Sequence, residues 1–206
     1  MNKITIIDFA AGNILSVQRA FTSIGFETEV TREPQKIESA QKLVLPGVGA
    51  FPKGIENINR LGLLKPLMSS VSNGIPLLGI CLGFQLLFSR SQEFQVTDGL
   101  NLIEGQVLHL QKKCSKHGML KVPHIGWNTL EKTHGDTSLF KDGEYMYFQH
   151  SFYVRPKTSS IITAYVRYGG HKICSAIQKG NITGCQFHPE KSGTAGLSFL
   201  GLWGNA

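Results

Sequence analysis

The stretch Ile75 to Phe88, Ile-Pro-Leu-Leu-Gly-Ile-Cys-Leu-Gly-Phe-Gln-Leu-Leu-Phe, constrains the fold more than any other part of the chain. Its apolar run, opened by Pro76, predicts a buried strand, and Leu82 to Phe88 predicts an apolar helix, so Cys81 falls where strand becomes helix. A reactive side chain on so tight a turn tolerates only small residues two positions before and after it. Gly79 and Gly83 meet that demand. The positive end of the following helix favours a thiolate at Cys81, and the Leu82 amide would face an oxyanion forming beside the sulfur. A buried structural cysteine flanked by packing glycines fits the same pattern, and the rest of the chain must decide between the two.

Around this stretch, strands and helices alternate. Lys3 to Phe9 reads as a first strand, and Asn13 to Ile24 spaces Ile14, Val17, Phe21 and Ile24 as a helix that Gly25 ends. Glu27 to Thr31 reads as a second strand, a short helical segment follows Glu33, and Lys42 to Leu45 is a third strand running into Pro46-Gly47-Val48-Gly49. The expected fold is therefore α/β: a doubly wound, mostly parallel sheet flanked by helices, with its loops gathered at the carboxyl ends of the strands. After Ser89 the texture changes to short strand-like runs, Gln106 to Leu110, Glu144 to Phe148, Ile161 to Tyr168, Ile173 to Gln178 and Ile182 to Phe187, and then a helix from Gly193. These predict an antiparallel hairpin elaboration of the same sheet in the C-terminal half. With 206 residues and no linker, the expectation is a single domain spanning 1–206.

A thiolate that attacks an amide needs an imidazole to move protons and a carboxylate to fix the tautomer of that imidazole. Gln186-Phe187-His188-Pro189-Glu190 offers both at the end of a late strand, with Pro189 stiffening the backbone between His188 and Glu190. Alone, this run also fits a capped turn with a surface ion pair. Gly47 and Gly49 allow the main chain to approach a substrate closely and to turn an N–H toward an oxyanion. This is not a phosphate loop, because no Lys-Ser or Lys-Thr follows at the required spacing.

Charge and cysteine content narrow the remaining classes. The net charge is +7, but its only local concentration, Lys112, Lys113, Lys116 and Lys121, lacks interleaved aromatics, so no nucleic acid is expected there; a solvated loop or an acidic protein partner suits it better. No apolar run approaches the roughly 20 residues of a membrane span, and Met1-Asn2-Lys3 leads into a strand pattern without a signal-peptide layout. The expectation is a cytoplasmic protein that engages no membrane. Cys81, Cys114, Cys174 and Cys185 show no C-x-x-C spacing and are expected to be free. Cys114 and His117 lack a second ligand pair, so neither a metal nor any other cofactor is expected.

Taken together, Gly79-Ile80-Cys81-Leu82-Gly83-Phe84-Gln85, Pro46-Gly47-Val48-Gly49 and Gln186-Phe187-His188-Pro189-Glu190 resemble the class I (triad) glutamine amidotransferases, in the same Cys, His, Glu order. Within that family, Pro123-His124-Ile125-Gly126-Trp127-Asn128, His150-Ser151-Phe152-Tyr153 and His188-Pro189-Glu190-Lys191-Ser192-Gly193 resemble the glutaminase subunits of imidazole glycerol phosphate synthases. The resemblance implies Cys81 as nucleophile, His188 as general acid and base, and Glu190 as its orienter. Val48, Gly49 and Leu82 would surround the oxyanion. Gly47, Gln85, Ser151 and Phe152 would line the glutamine site, the last two through their backbone. Asn13, Trp127 and Lys191 would face a partner, a (β/α)₈-barrel synthase subunit that receives ammonia and makes imidazole glycerol phosphate and an aminoimidazole carboxamide ribotide in histidine biosynthesis.

The chain departs from the family pattern at Asp8-Phe9-Ala10-Ala11-Gly12-Asn13, where Asp-Tyr-Gly-x-Gly-Asn is usual, and at Phe152, where Tyr is usual. The same glutaminase feeding another acceptor, such as a sugar amidated for surface polysaccharide, stays open at this stage. So does a cysteine hydrolase on a related sheet.

Overall fold

The computed structural model describes residues 3–110, 114–115, 118–133 and 138–206. Its first part runs β1 (Lys3–Ile7), α1 (Ile14–Ser23), β2 (Glu27–Thr31), α2 (Pro34–Glu38), β3 (Lys42–Leu45), α3 (Phe51–Arg60), α4 (Leu64–Ser72), β4 (Leu77–Ile80) and α5 (Leu82–Leu86). It continues with β5 (Phe88–Ser91), β6 (Thr97–Asp98), β7 (Ile103–His109), β8 (Cys114–Ser115), β9 (Gly118–Met119), β10 (His124–Lys132) and β11 (Tyr145–His150). The last elements are β12 (Phe152–Pro156), β13 (Ile162–Tyr168), β14 (His171–Lys179), β15 (Ile182–Cys185) and α6 (Gly193–Asn205).

The central sheet has the order β11-β10-β13-β14-β15-β4-β3-β1-β2. From β15 to β2 the neighbours are parallel, and from β15 out to β11 they are antiparallel. Alternation along the parallel strands explains the layers. Ile4, Ile6, Val44, Leu78 and Ile80 face one side, where Phe21 of α1 and Phe199, Leu200 and Trp203 of α6 cover them. Ile7, Leu43, Leu45 and Leu77 face the other side, against Ile37 of α2, Ile58 of α3, Leu67 of α4 and Phe84 of α5. Each such buried aliphatic or aromatic side chain contributes about 1.5–3 kcal/mol, which holds the strand ends in fixed register. Among the described residues no helix is long and apolar enough to cross a membrane.

Two expectations need correction. Gln106 to Leu110 does not extend the central sheet: β7 belongs to a separate four-stranded sheet, β12-β7-β5-β6. Strand periodicity shows which face is buried but not which sheet a strand joins. The helix after Cys81 ends at Leu86 rather than Phe88, because the Leu86 and Leu87 carbonyls accept from the amides of Leu100, Leu102 and Ile103 and the chain then enters β5. Of the basic run, Lys112, Lys113 and Lys116 lie outside the described residues, as does His117.

Candidate active site

Three adjacent parallel strands, β3, β4 and β15, deliver the three sequence motifs to one edge of the sheet. The elbow sits flush on all three because glycines leave room for it. A Cβ on Gly83 would lie 1.8 Å from the Leu45 carbonyl oxygen of β3, and one on Gly79 would lie 2.9 Å from Phe84 Cα. Gly184 of β15, directly opposite Gly79, would place a Cβ 2.1 Å from the Phe84 ring. Gly184 carries no motif of its own, so sequence reasoning missed it.

Cys81 takes φ +53° and ψ −106°. A non-glycine residue held there stores about 1–3 kcal/mol of strain. Its amide donates to the Cys185 carbonyl at 2.8 Å, which fixes the turn against β15. Cys81 is 5% exposed, and its sulfur lies close to the Gln149 carbonyl at 3.9 Å and to Gln186 Nε2, which donates toward it at 3.7 Å. A helix as short as α5 contributes little macrodipole. The Leu82 amide does not point freely into the site either, since it donates to the Gly47 carbonyl at 3.3 Å. Gly49 holds φ +113°, a conformation that suits a loop whose peptides must turn.

His188 follows β15 and is pinned from both sides: its amide donates to the Tyr147 carbonyl at 2.8 Å, and its carbonyl accepts from Ser192 Oγ at 2.6 Å. Its Nδ1 meets Glu190 Oε1 at 2.8 Å, with both side chains about 2% exposed. Burial lowers the imidazole's pKa, but the charges of Cys81 and Glu190 outweigh it and raise the value to about 10. Nε2 is buried with no directed hydrogen bond, and the neighbouring sulfur acts on it through charge. Cys81, His188 and Glu190 are thus brought together.

In front of Cys81 lies a cavity of about 650 Å³, lined by Val48, Gly49, Leu82, Gln85, Ser151 and Phe152 among others. Gly47 stands behind this wall as the acceptor for Leu82. Gln85 is committed within the protein, because Nε2 donates to the Phe152 carbonyl and to Gln186 Oε1, both at 3.0 Å. Glu93, Phe94, His109 and Gln149 also line the cavity and escaped the sequence reading. Glu93, 8% exposed, accepts from the Phe51 amide at 2.7 Å, and burial raises its pKa. His109 packs edge-on against Phe152 at 5.0 Å. Glu93 lies in a polar run and His109 within a strand, so neither had a motif to reveal it.

Trp127 is 54% exposed and packs edge-on to Tyr147 at 6.0 Å. Lys191 Nζ donates to Gln149 Oε1 at 3.3 Å and lies 5.8 Å from the Tyr147 ring. Lys191 therefore links this exposed aromatic face to the segment beside Cys81. Asn13 is exposed at the start of α1, next to Gly12, on which a Cβ would lie 3.1 Å from Gly47 Cα.

A strained cysteine at a strand-to-helix elbow, an adjacent histidine and carboxylate, and a glycine loop beside them define a triad amidotransferase. The chain belongs to the class-I glutamine amidotransferases, whose family model matches residues 5–200. It is 44% identical over 203 residues to the imidazole glycerol phosphate synthase subunit HisH of Geobacter metallireducens, covering 97% of this chain and 96% of that protein. It is also 44% identical over 207 residues to the subunit of the same name from Geobacter sulfurreducens, covering 99% of each. The structure of PurLQS from Thermotoga maritima shares the fold, with a TM-score of 0.75 at 18% identity over 99% of this chain and 98% of that one. Ala10, which departs from the family pattern, takes φ +59°, a left-handed conformation that glycine adopts readily.

Proposed function

We propose that the chain is the glutaminase subunit of an imidazole glycerol phosphate synthase of histidine biosynthesis, acting as one domain in the cytoplasm and bound to a (β/α)₈-barrel subunit. The observation that carries the chemistry is the placement of Cys81 beside the buried His188–Glu190 pair, at one edge of one sheet. The full-length likeness to the named synthase subunits supports the choice of acceptor.

In this reading, His188 takes the proton of the Cys81 thiol, Sγ attacks the side-chain carboxamide carbon of glutamine, and backbone amides of the Val48, Gly49 and Leu82 region hold the oxyanion. His188, oriented by Glu190, gives a proton to the amide nitrogen as the C–N bond breaks, and ammonia leaves. His188 then takes a proton from water, which attacks the γ-glutamyl thioester; the C–S bond breaks, His188 returns the proton to Cys81 Sγ, and glutamate departs. Glu93 is the carboxylate that lines the cavity, and it suits the ammonium of the substrate. Gln85, Ser151 and Phe152 shape the remaining wall, and Gly47 acts from behind it through Leu82. Gly47 must release the Leu82 amide before that amide can serve an oxyanion, so the resting site is incomplete. In this reading the barrel subunit contacts Asn13, Trp127 and Lys191 and brings about that release; the bond from Lys191 to Gln149, beside Cys81, supports it.

The test is glutamate release by the purified chain with and without the barrel subunit. Stimulation by the barrel supports the reading. Release equal in its absence contradicts the coupling, and no product from barrel, substrate and chain together favours another acceptor.

A further inference from the structure

His124 and His150 form a buried pair that the mechanism above does not use, with His150 in the cavity wall and His124 behind it. They are 2% and 5% exposed, and His124 Nδ1 lies 3.0 Å from His150 Nε2. The other nitrogen of His150, Nδ1, lies 2.8 Å from the Phe152 carbonyl. A carbonyl oxygen only accepts, so Nδ1 of His150 carries the proton. In a neutral ring Nε2 is then bare, and the group facing it must donate. That group is His124 Nδ1. Burial pushes His150 down to about 3 and His124 down to about 4, and His124 and then His188 further disfavour a second proton on His150, so the pair is neutral.

The chain of donors continues. The Phe152 carbonyl also accepts from Gln85 Nε2, whose second hydrogen goes to Gln186 Oε1, and Gln186 Nε2 points at Cys81 Sγ. One polar path thus runs from a core histidine to the cavity wall and the nucleophile. Reversing the His150 tautomer would set a lone pair against the Phe152 carbonyl at the head of β12 and push the Ser151–Phe152 wall out of place.

We propose that His124 is a positioning residue for glutamine binding: by donating to His150 Nε2 it holds the ring whose Nδ1–H anchors the Phe152 carbonyl of the cavity wall. This rests on the glutaminase reading given above. His124 is also stacked between Tyr168 at 3.9 Å and Phe148 at 4.9 Å, so a packing role has to be separated from a donor role. Two substitutions do so in opposite senses. His124→Phe keeps an aromatic ring and removes the donor. His124→Asn loses the ring and keeps an N–H at the place of Nδ1.

Glutamine KM and kcat for glutamate release are measured on the full chain with its barrel subunit. The expected result is a KM raised about tenfold in His124→Phe, the size of one lost buried hydrogen bond, with kcat within about twofold and KM near wild type in His124→Asn. Nitrogen-15 chemical shifts of the wild-type chain at neutral pH give a second readout, which should show His150 protonated at Nδ1 alone. An unchanged KM in His124→Phe, a KM in His124→Asn as poor as in His124→Phe, or a His150 proton on Nε2 overturns the proposal. If His124→Phe does not fold, the His124 shifts decide: they must show its proton on Nδ1, and a proton on Nε2 alone overturns the proposal. If the wild type releases no glutamate, the glutaminase reading fails instead, and the shifts still report on the pair.

Discussion

Gly184→Ala probes how the elbow is seated. The new Cβ would lie 2.1 Å from Phe84 Cδ2 and 2.5 Å from Cε2, where ordinary contact begins at 3.4 Å, so the ring must retreat by more than 1 Å. It has nowhere to go: Phe84 is 0% exposed and packs edge-on to Phe88 at 5.4 Å. Overpacking of this kind costs about 1–3 kcal/mol, which lowers the melting temperature of a chain this size by roughly 2–12 °C. Because Phe84 belongs to the helix that carries Leu82 and Gln85, kcat/KM should fall by about one to two orders of magnitude as well. Phe84→Leu makes room at the price of a cavity, and combining it with Gly184→Ala should recover at least about 1 kcal/mol relative to the sum of the single changes. Chemical denaturation of the four proteins measures that coupling. Additivity within about 0.5 kcal/mol would refute the claim that Gly184 exists to seat the elbow.

Glu190→Gln keeps an acceptor for His188 Nδ1 but removes a charge that raises the imidazole. The alkaline limb of the kcat/KM profile should move to lower pH, and kcat should fall roughly 10²–10⁴-fold; an unchanged profile would remove Glu190 from the triad. Acid should destabilise the fold through His150, whose folded pKa of about 3 lies below its unfolded value. The unfolded chain therefore binds the extra proton below pH ~6.5, so stability is complete above that pH and is lost as pH falls toward 3, by about 1.4 kcal/mol per pH unit for this one histidine. Denaturation curves at pH 7, 6 and 5 check the slope, and a flat response would contradict the neutral buried pair. Cys174 and Cys185 are buried with thiol pKa values pushed up by desolvation, so an alkylating reagent should label Cys81 well before either, with glutamine protecting Cys81. Peptide mass spectrometry reads the order, and equal labelling of Cys185 would contradict it.

Much of this was legible because local chemistry dictated it. The strands Glu27–Thr31 and Lys42–Leu45 end where the sequence pattern ends them, and Cys81, His188 and Glu190 stand in short motifs whose residues each have a separate task. The helices Phe51–Arg60 and Leu64–Ser72 were not legible. Pro52, Gly54 and Pro66 interrupt their patterns, and Gly54 is there because Leu86 of the elbow packs within 3.1 Å of where its Cβ would be. The strands His124–Lys132 and Phe152–Pro156 were read as motifs and not as strands, since their partners lie far along the chain. Glu93, His109, Gly184 and the His124–His150 pair depend on contacts between distant segments, which spacing along one sequence does not encode.

The claim at the centre of this account is that Cys81 makes ammonia from glutamine for an attached synthase. Its most direct test is product formation by the complex of this chain with the barrel subunit, supplied first with glutamine and then with an ammonium salt. With Cys81→Ala, the account requires that glutamine-dependent synthesis of imidazole glycerol phosphate disappear while ammonium-dependent synthesis continues. Synthesis from glutamine that survives in Cys81→Ala would contradict it.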